Sequence, residues 1–289
     1  MTARRSLVTL ALLGTMARLC GQDATTPELD KELQKESDEY MRLELGVNDI
    51  TTPSIAQILK DFGSFRPIPL EIIAQNPREA SYDNRLQTSL HFGSLVADGF
   101  MLTVAERSQD IQDVGKALIR QSRALGVGDR LTKRSKSLFE YSDKGDWQSM
   151  REELVRTQAD VEKSMLDLRD EQMAHMISLG GWMRGYQLAA NSTVQSYTPD
   201  KARILSRPDI MDYYIDRLET LHPRLKKTEF VATLLLKLKD LRTLAIATEG
   251  RAPKEDEVKK MCDLANQIES IALGPVDADG KIAKPAVTP

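Results

Sequence analysis

Two charged residues lie in stretches of the chain that otherwise carry almost no charge, and they are the first candidates for chemistry. Asp98 is the single formally charged residue between positions 89 and 105, and Arg184 is the single permanently charged residue between 173 and 190. A carboxylate among apolar side chains is costly unless something compensates its charge. Three arrangements of Asp98 follow: an ion pair with Arg184, hydrogen bonds from other groups, or exposure to a water-filled pocket.

Histidines and aromatic residues in the same stretches extend this candidate polar pair or pocket. His91 lies seven residues before the carboxylate, so both share one helical face and could start an acid–base site. His175 follows Glu171 by four residues, so the two could share a metal ion or simply form a hydrogen bond on a helix surface. Trp182 and Tyr186 could stack on a flat ligand or pack at the rim of the protein.

The sequence contains none of the short motifs that indicate catalysis. GxSxG, GxxxxGK, HExxH and CxxC are all missing, and the three histidines are far apart. The chain is therefore predicted not to be an enzyme and to use no cofactor or metal. An enzyme that uses Asp98 and a histidine remains an alternative.

The stretch around Asp98 predicts a helix without a polar face. Such a helix lies either in a bilayer or at the centre of a globular protein, and residues 89–105 are shorter than the roughly 20 residues that span a bilayer. Residues 173–190 predict a second helix of this kind, with a break or sharp bend at Gly180-Gly181. Both are predicted to be innermost, because four glycines allow close backbone approach: Gly93, Gly99, Gly181 and Gly185.

Composition and periodicity predict an all-α protein. Aromatic residues make up only 5% of the chain, and Leu, Met, Ala and Val supply most of the apolar side chains, which favours packed helices over sheet. Apolar residues that recur every three or four positions predict a multi-helix bundle of about eight helices. The two glycine-bearing helices also raise the alternative of two pseudo-repeated halves, which would begin near residues 84 and 173.

Three regions are predicted downstream of the first twenty-one residues. Residues 22–81 would contain N-terminal helices and a short extended Pro-rich strap from Phe65 to Pro77, because closely spaced prolines oppose a helix. Residues 82–273 would form the helical bundle domain. Residues 274–289, rich in Gly, Pro, Ala and Lys, would be a flexible tail.

The first residues predict export. Two arginines precede an uncharged, Leu-rich run, which is the pattern of a secretory signal peptide over residues 1–21. A lipoprotein signal that uses Cys20 is less favoured, because Arg18 and Leu19 stand where small residues are expected. The mature chain is predicted to be periplasmic or secreted, without a transmembrane span. The formal net charge of −3 comes without basic clusters, so nucleic acid is not an expected partner.

Three short strings give the chain a resemblance to a group of exported, all-helical bacterial proteins of unknown function. They are GSLVADG at 93–99, LGVGDR at 125–130 and LGGWMRG at 179–185, and the resemblance covers about residues 82–250. Proteins of this group pair an early Gly-x-Asp helix with a later Gly-Gly-Trp helix. The resemblance implies an envelope location and a helical fold, and it brings no activity, cofactor or catalytic residue.

Two binding functions are predicted ahead of the enzyme. The leading one is a non-enzymatic binding or scaffolding protein of the envelope, whose partner would be another envelope protein. The alternative is a small-molecule or lipid-binding protein that holds a small apolar ligand in a cavity near Asp98 and Arg184. The space between segments 93–99 and 180–186 distinguishes them, because a filled space favours the scaffold and a hollow one favours the ligand.

Overall fold

The computed structural model describes residues 65–128, 137–138, 140–167 and 169–282. Within these ranges the regular structure is helical, and the only extended pairing is one antiparallel bridge between Val276 and Ile282. The predicted all-α fold is therefore confirmed. The predicted signal peptide, Cys20 and the predicted helices before Phe65 lie outside the described residues.

The helices with defined bounds vary from four to 25 residues in length. In chain order they are α1 (Leu70–Ala74), α2 (Arg85–Val104), α3 (Ser108–Ala124), α4 (Trp147–Asp167), α5 (Glu171–Gln195), α6 (Pro199–Ile204), α7 (Pro208–Glu219), α8 (Pro223–Lys226), α9 (Glu229–Ala247) and α10 (Glu255–Leu273). Three of these ten helices, α1, α6 and α8, have six residues or fewer.

Helices α2 and α5 form the centre of the described bundle. Every residue of α2 from Leu86 to Thr103 is buried, and α5 is buried along most of its length. Asn84 caps the first turn of α2, because its side chain accepts hydrogen bonds from two backbone N–H groups. The helices run parallel: Ser89 contacts Met173 near their N-termini, and Asp98 contacts Arg184 further along.

Glycine allows α2 and α5 to pack backbone against backbone. A Cβ atom at Gly93 would lie 1.9 Å from the carbonyl oxygen of Ile177, and one at Gly180 would lie 2.0 Å from that of Leu90. No side chain fits at either position. At Gly99 a Cβ atom would meet only side chains, the nearest being Val114 at 3.3 Å.

The predicted break at Gly180-Gly181 is wrong, because α5 continues unbroken from Glu171 to Gln195. These glycines serve close packing and leave the hydrogen bonds of the helix intact. The break lies earlier, where Arg169 adopts a positive φ of 55°. Helix α4 ends before this point, at Asp167.

The remaining helices surround the central pair. Helix α3 packs on α2, α4 packs on both central helices, and α10 lies against α5 and α9. Helix α7 in turn packs on α9. The described bundle thus buries α2 and α5 on all sides, which explains why neither helix has a polar face.

The Pro-rich segment is not extended throughout, because residues 70–74 form the short helix α1. Pro69 stands at its N-cap, where a missing N–H costs no hydrogen bond. The segment packs closely on the bundle through Phe65, Ile73 and Asn76, which are at most 2% exposed. Below, the name strap denotes residues 65–81, which add the four residues after Pro77 to the predicted segment.

The predicted flexible tail is wrong for residues 274–282. Gly280 accepts a hydrogen bond from the backbone N–H of Phe230, and Gln87 donates to the carbonyl oxygens of Ala272 and Gly274. This segment therefore folds back on α9 and on the start of α2. The turn needs glycine at 280, where φ is 77°.

Candidate functional site

Asp98 lies at the centre of a buried polar network. Arg184 donates from Nε to Oδ1 of Asp98 at 2.7 Å and from Nη2 to Oδ2 at 3.3 Å. Oδ2 also accepts from Nη1 of Arg78 at 2.9 Å and from Nδ2 of Asn76 at 2.7 Å. The ion pair with Arg184 and the hydrogen bonds from other groups are therefore both formed. The carboxylate is fully buried, so the alternative of a water-filled pocket is wrong.

Arg184 connects the central helices to the strap and to α10. Its Nη2 donates to the carbonyl oxygen of Ile72 at 2.9 Å, and its Nη1 donates to Oε1 of Gln187 at 2.6 Å. Its Nη1 also lies 3.7 Å from Oε1 of Glu269. The guanidinium group thus has partners on three sides, and its position is fixed by all of them.

Glu269 is the second buried carboxyl group of the network. It accepts a hydrogen bond from Oγ of Ser94 at 2.7 Å. Burial raises the pKa of Glu269, while Arg184 and the Ser94 hydrogen bond act in the opposite direction. When Glu269 is ionised, two carboxylates balance two guanidinium groups; when it is protonated, the network carries one positive charge.

Asn76 fixes the proton positions around it. Its Nδ2 donates to Asp98 and, at 3.0 Å, to Oγ of Ser94. Its Oδ1 must then accept from Nε2 of His91, which lies 3.0 Å away. Neutral His91 therefore carries its proton on Nε2.

Burial lowers the pKa of His91 to about 4. Arg78 and Arg184 contribute to this lowering of the pKa, whereas Asp98 acts in the opposite direction. The ring is therefore neutral at pH 7 and holds too little basicity for a general base there. Asn76 lies between His91 and Asp98, so the two residues do not form a direct acid–base pair.

The other three candidate residues belong to a separate aromatic cluster between α5 and α7. Trp182 lies 5.4 Å from Tyr186 and 5.4 Å from Tyr214, measured between ring centroids. Nδ1 of His175 lies 3.2 Å from the hydroxyl of Tyr213. Trp182 and Tyr186 are 3% exposed, so neither presents a flat face to a ligand from solvent.

A shared metal site at Glu171 and His175 finds no support in the described part of the chain. No group of three or more His, Cys, Asp or Glu residues there could hold a metal ion. His175 contacts the hydroxyl of Tyr213 through Nδ1.

Several members of the network were missed from sequence. Glu269 gives a usable signal, because it lies on the buried face of α10 together with Ala265 and Cys262, four and seven residues earlier. Asn76 and Arg78 give no such signal, since they flank a proline in an irregular segment. Their role depends on how the strap packs across α2.

A surface cleft opens beside the network. We name it the Arg78 cleft; its volume is about 230 Å³. Leu70, Ile73, Ala74 and Leu102 provide its apolar lining. Arg78, Arg107, Asp110 and Asp113 provide its charged lining. Arg78 is the one residue that belongs both to the cleft and to the buried network.

No protein family model, no curated protein and no solved structure matches this chain. Among the helices of the described ranges, none has the length and apolar composition needed to cross a membrane. The candidate site has two parts. It comprises a closed ionic network, with Asp98 fully buried and Arg184 2% exposed, and the small cleft that adjoins it.

Proposed function

We propose that this chain is an exported, non-catalytic helical protein of the bacterial envelope that acts by binding. One observation carries the proposal: the side chains best suited to acid–base chemistry, Asp98 and His91, are buried and hydrogen-bonded inside the protein. A catalytic group must reach its substrate, and neither Asp98 nor His91 has any exposed surface. The space between α2 and α5 is filled by backbone contacts at Gly93 and Gly180, which favours the scaffold over an internal ligand.

The network supports the binding role by holding the strap on the bundle. Two strap residues, Arg78 and Asn76, donate hydrogen bonds to Asp98. Two residues of the bundle donate to carbonyl oxygens of the strap: Arg184 to that of Ile72, and Gln121 to that of Ala80 at 2.7 Å. A surface segment held at so many points loses little further conformational freedom when a partner binds. Export is supported by the composition of residues 1–21 and by the resemblance to envelope proteins.

Cell fractionation tests the export half of the proposal. The full chain with a C-terminal tag should be recovered from a bacterial periplasmic extract, and intact-mass measurement should show the loss of a segment ending near residue 17 or 21. A control chain with Leu10→Arg and Leu12→Arg, which interrupts the apolar run, should remain in the cytoplasm at full length. Full-length protein in the cytoplasm in both cases would reject export.

Native mass spectrometry of the periplasmic protein tests the binding half. A binding protein should retain a protein partner or a small molecule at a fixed stoichiometry under gentle conditions. A variant in which Arg78→Ala loosens the strap should lose that mass, whereas the exposed control Asp240→Asn should keep it. A bare monomer mass for the unsubstituted protein would count against binding.

A small-molecule function is the second candidate, favoured by the Arg78 cleft. The sequence predicts a ligand cavity near Asp98 and Arg184. The Arg78 cleft is near Asp98, because Arg78 lines the cleft and also binds Asp98. Unlike the predicted cavity, the cleft lies on the surface. At about 230 Å³ it is smaller than the roughly 300–1,000 Å³ of sites for drug-sized ligands. Its ligand would therefore have few non-hydrogen atoms.

A further inference from the structure

We propose that one internal water molecule is bound between Tyr82, Gln87 and His91, and that it extends the buried network at the start of α2. The proposal is independent of export and of any partner. Three buried polar atoms carry it, because none of them has a hydrogen-bond partner among the described residues: Oη of Tyr82, Oε1 of Gln87 and Nδ1 of His91. Burying a polar atom without a partner is costly, and ordered water commonly satisfies such atoms.

The three side chains lie next to one another. Gln87 and His91 are four residues apart on α2, so their side chains lie on one face of the helix, one turn apart, and both residues are fully buried. Tyr82, just before the helix, packs against the ring of His91 in a T-shaped contact, with 5.2 Å between the ring centroids. The end of α10 borders the same region, because Gln87 donates to the carbonyl oxygen of Ala272.

Nδ1 of His91 requires a donor. Nε2 carries the proton of the neutral ring, because it donates to Oδ1 of Asn76 at 3.0 Å. Burial lowers the pKa of His91, and the carbonyl oxygen of Pro77 acts in the opposite direction by accepting from the protonated ring. That carbonyl oxygen has no proton to offer to Nδ1 of the neutral ring. The partner of Nδ1 must therefore be a group that donates.

Oε1 of Gln87 also requires a donor. Nε2 of this amide donates to two backbone carbonyl oxygens, those of Ala272 at 3.0 Å and of Gly274. The opposite orientation of the amide would place its oxygen against these two carbonyl oxygens, so the orientation is fixed. Oε1 is thus a second acceptor in the same region.

The hydroxyl of Tyr82 supplies the opposite function. Burial raises the pKa of Tyr82, and the charge of Glu269 raises it further, so the phenol keeps its proton and can donate. A ligand shared by the three atoms must then donate two hydrogen bonds and accept one. Water does both. An ammonium ion could not accept from the phenol, and it would bring a further positive charge into the buried network.

The water extends a series of hydrogen bonds that all run in one direction. Nε2 of His91 donates to Asn76, and Nδ2 of Asn76 donates to Oδ2 of Asp98 at 2.7 Å. The water continues this series outward, because it donates to Nδ1 of His91 and accepts from Tyr82. Hydrogen bonds in such a series polarise and strengthen one another. The water therefore helps to hold Asn76, and with it the strap, on the bundle.

Two measurements on the purified full chain test the site. A crystal structure that resolves ordered water should show one water molecule within about 3.2 Å of all three atoms. Long-range proton–nitrogen correlation NMR of the imidazole groups at pH 7 should place the proton of His91 on Nε2. Three atoms without a shared water, or a proton on Nδ1, would overturn the proposal.

Variants locate the water in solution. Oxygen-17 magnetic relaxation dispersion counts the water molecules that stay inside a protein far longer than those on its surface. Gln87→Leu should lose one such water. Tyr82→Phe removes one of three partners and should shorten the residence time of that water about fivefold, the factor that corresponds to ~1 kcal/mol for one hydrogen bond.

Ser192→Ala is the matched control. Its hydroxyl is also buried without a hydrogen-bond partner among the described residues, but an internal water needs two to four polar partners, so the count should not change. Circular dichroism checks that each variant folds. An unchanged count and residence time in the folded variants at Gln87 and Tyr82 would reject this site, whatever the outcome for the proposed binding function.

Discussion

Asp98 is stable as a buried charge because donors surround it completely. Two N–H groups of Arg184, one of Arg78 and one of Asn76 point at its two oxygens. Breaking one side of such a pair is expensive, because the remaining charge keeps its desolvation cost. Asp98 therefore contributes to stability by keeping the buried guanidinium group of Arg184 paired.

Replacement of Asp98 should be severe for this reason. Asp98→Ala is expected to lower the free energy of unfolding by about 3–5 kcal/mol, as measured by urea denaturation monitored by circular dichroism. Asp212→Ala removes an exposed partner of Arg242 and should leave the denaturation midpoint nearly unchanged. Equal midpoints for Asp98→Ala and the unsubstituted protein would show that Arg184 does not depend on Asp98.

His91 should make the protein less stable in acid. Its pKa is lowered from 6.5 to about 4 in the folded state, so between these pH values the unfolded chain binds the proton and the folded one does not. Stability from this group is present above pH 6.5 and is lost as pH falls, by about 3 kcal/mol in total.

Unfolding free energies measured between pH 7 and pH 4 check this expectation. His91→Gln keeps an N–H donor for Asn76 but cannot titrate, so this variant should lose less stability than the unsubstituted protein over that range. Parallel pH profiles for the two proteins would contradict the expected pKa of His91.

At the scale of the helix, glycine decides how closely α2 and α5 pack. The backbone of each helix occupies the space where a side chain of the other would lie, at Gly93 and at Gly180. The same residue type has a different role at Gly99, where side chains and no backbone atoms lie nearby. Close backbone packing therefore requires glycine at 93 and 180 but not at 99.

Alanine substitutions should separate these roles. Gly93→Ala and Gly180→Ala require the helices to move apart and are expected to cost at least about 1–3 kcal/mol. Gly99→Ala is the matched control, because a gain in helix propensity of up to about 1 kcal/mol offsets a mild contact. Thermal unfolding of the three variants provides the comparison, and similar melting temperatures would contradict the close packing.

At the scale of the whole molecule, distant parts of the chain close one network. The strap supplies Asn76 and Arg78, the central helices supply Asp98 and Arg184, and the last helix supplies Glu269. These contacts join residues that are far apart in sequence, so the network can form only when the bundle is assembled.

Hydrogen exchange should reflect this organisation. Amides in the middle of α2 and α5 are expected to exchange only through global unfolding, whereas those of the short helix α8, which has no buried residues, should exchange by local opening. Deuterium labelling of the folded protein, followed by digestion and mass spectrometry of the peptides, measures both. Protection of α8 equal to that of α2 would contradict a core centred on α2 and α5.

The sequence alone determined the helical class and the importance of the two nearly uncharged helices. Both follow from local information: hydrophobic periodicity, and the cost of placing an isolated charge in an apolar stretch. Glu269 was also accessible in principle, because its place on the apolar face of α10 is a periodic signal.

Only the tertiary structure decided what surrounds Asp98 and what the glycines do. Asn76, Arg78 and the Arg78 cleft depend on the strap crossing α2, a contact that no local pattern encodes. Gly180-Gly181 looks like a helix break in sequence, since glycine weakens an isolated helix. In the folded protein the neighbouring backbone stabilises the helix at that position, and the energy of packing outweighs the local preference.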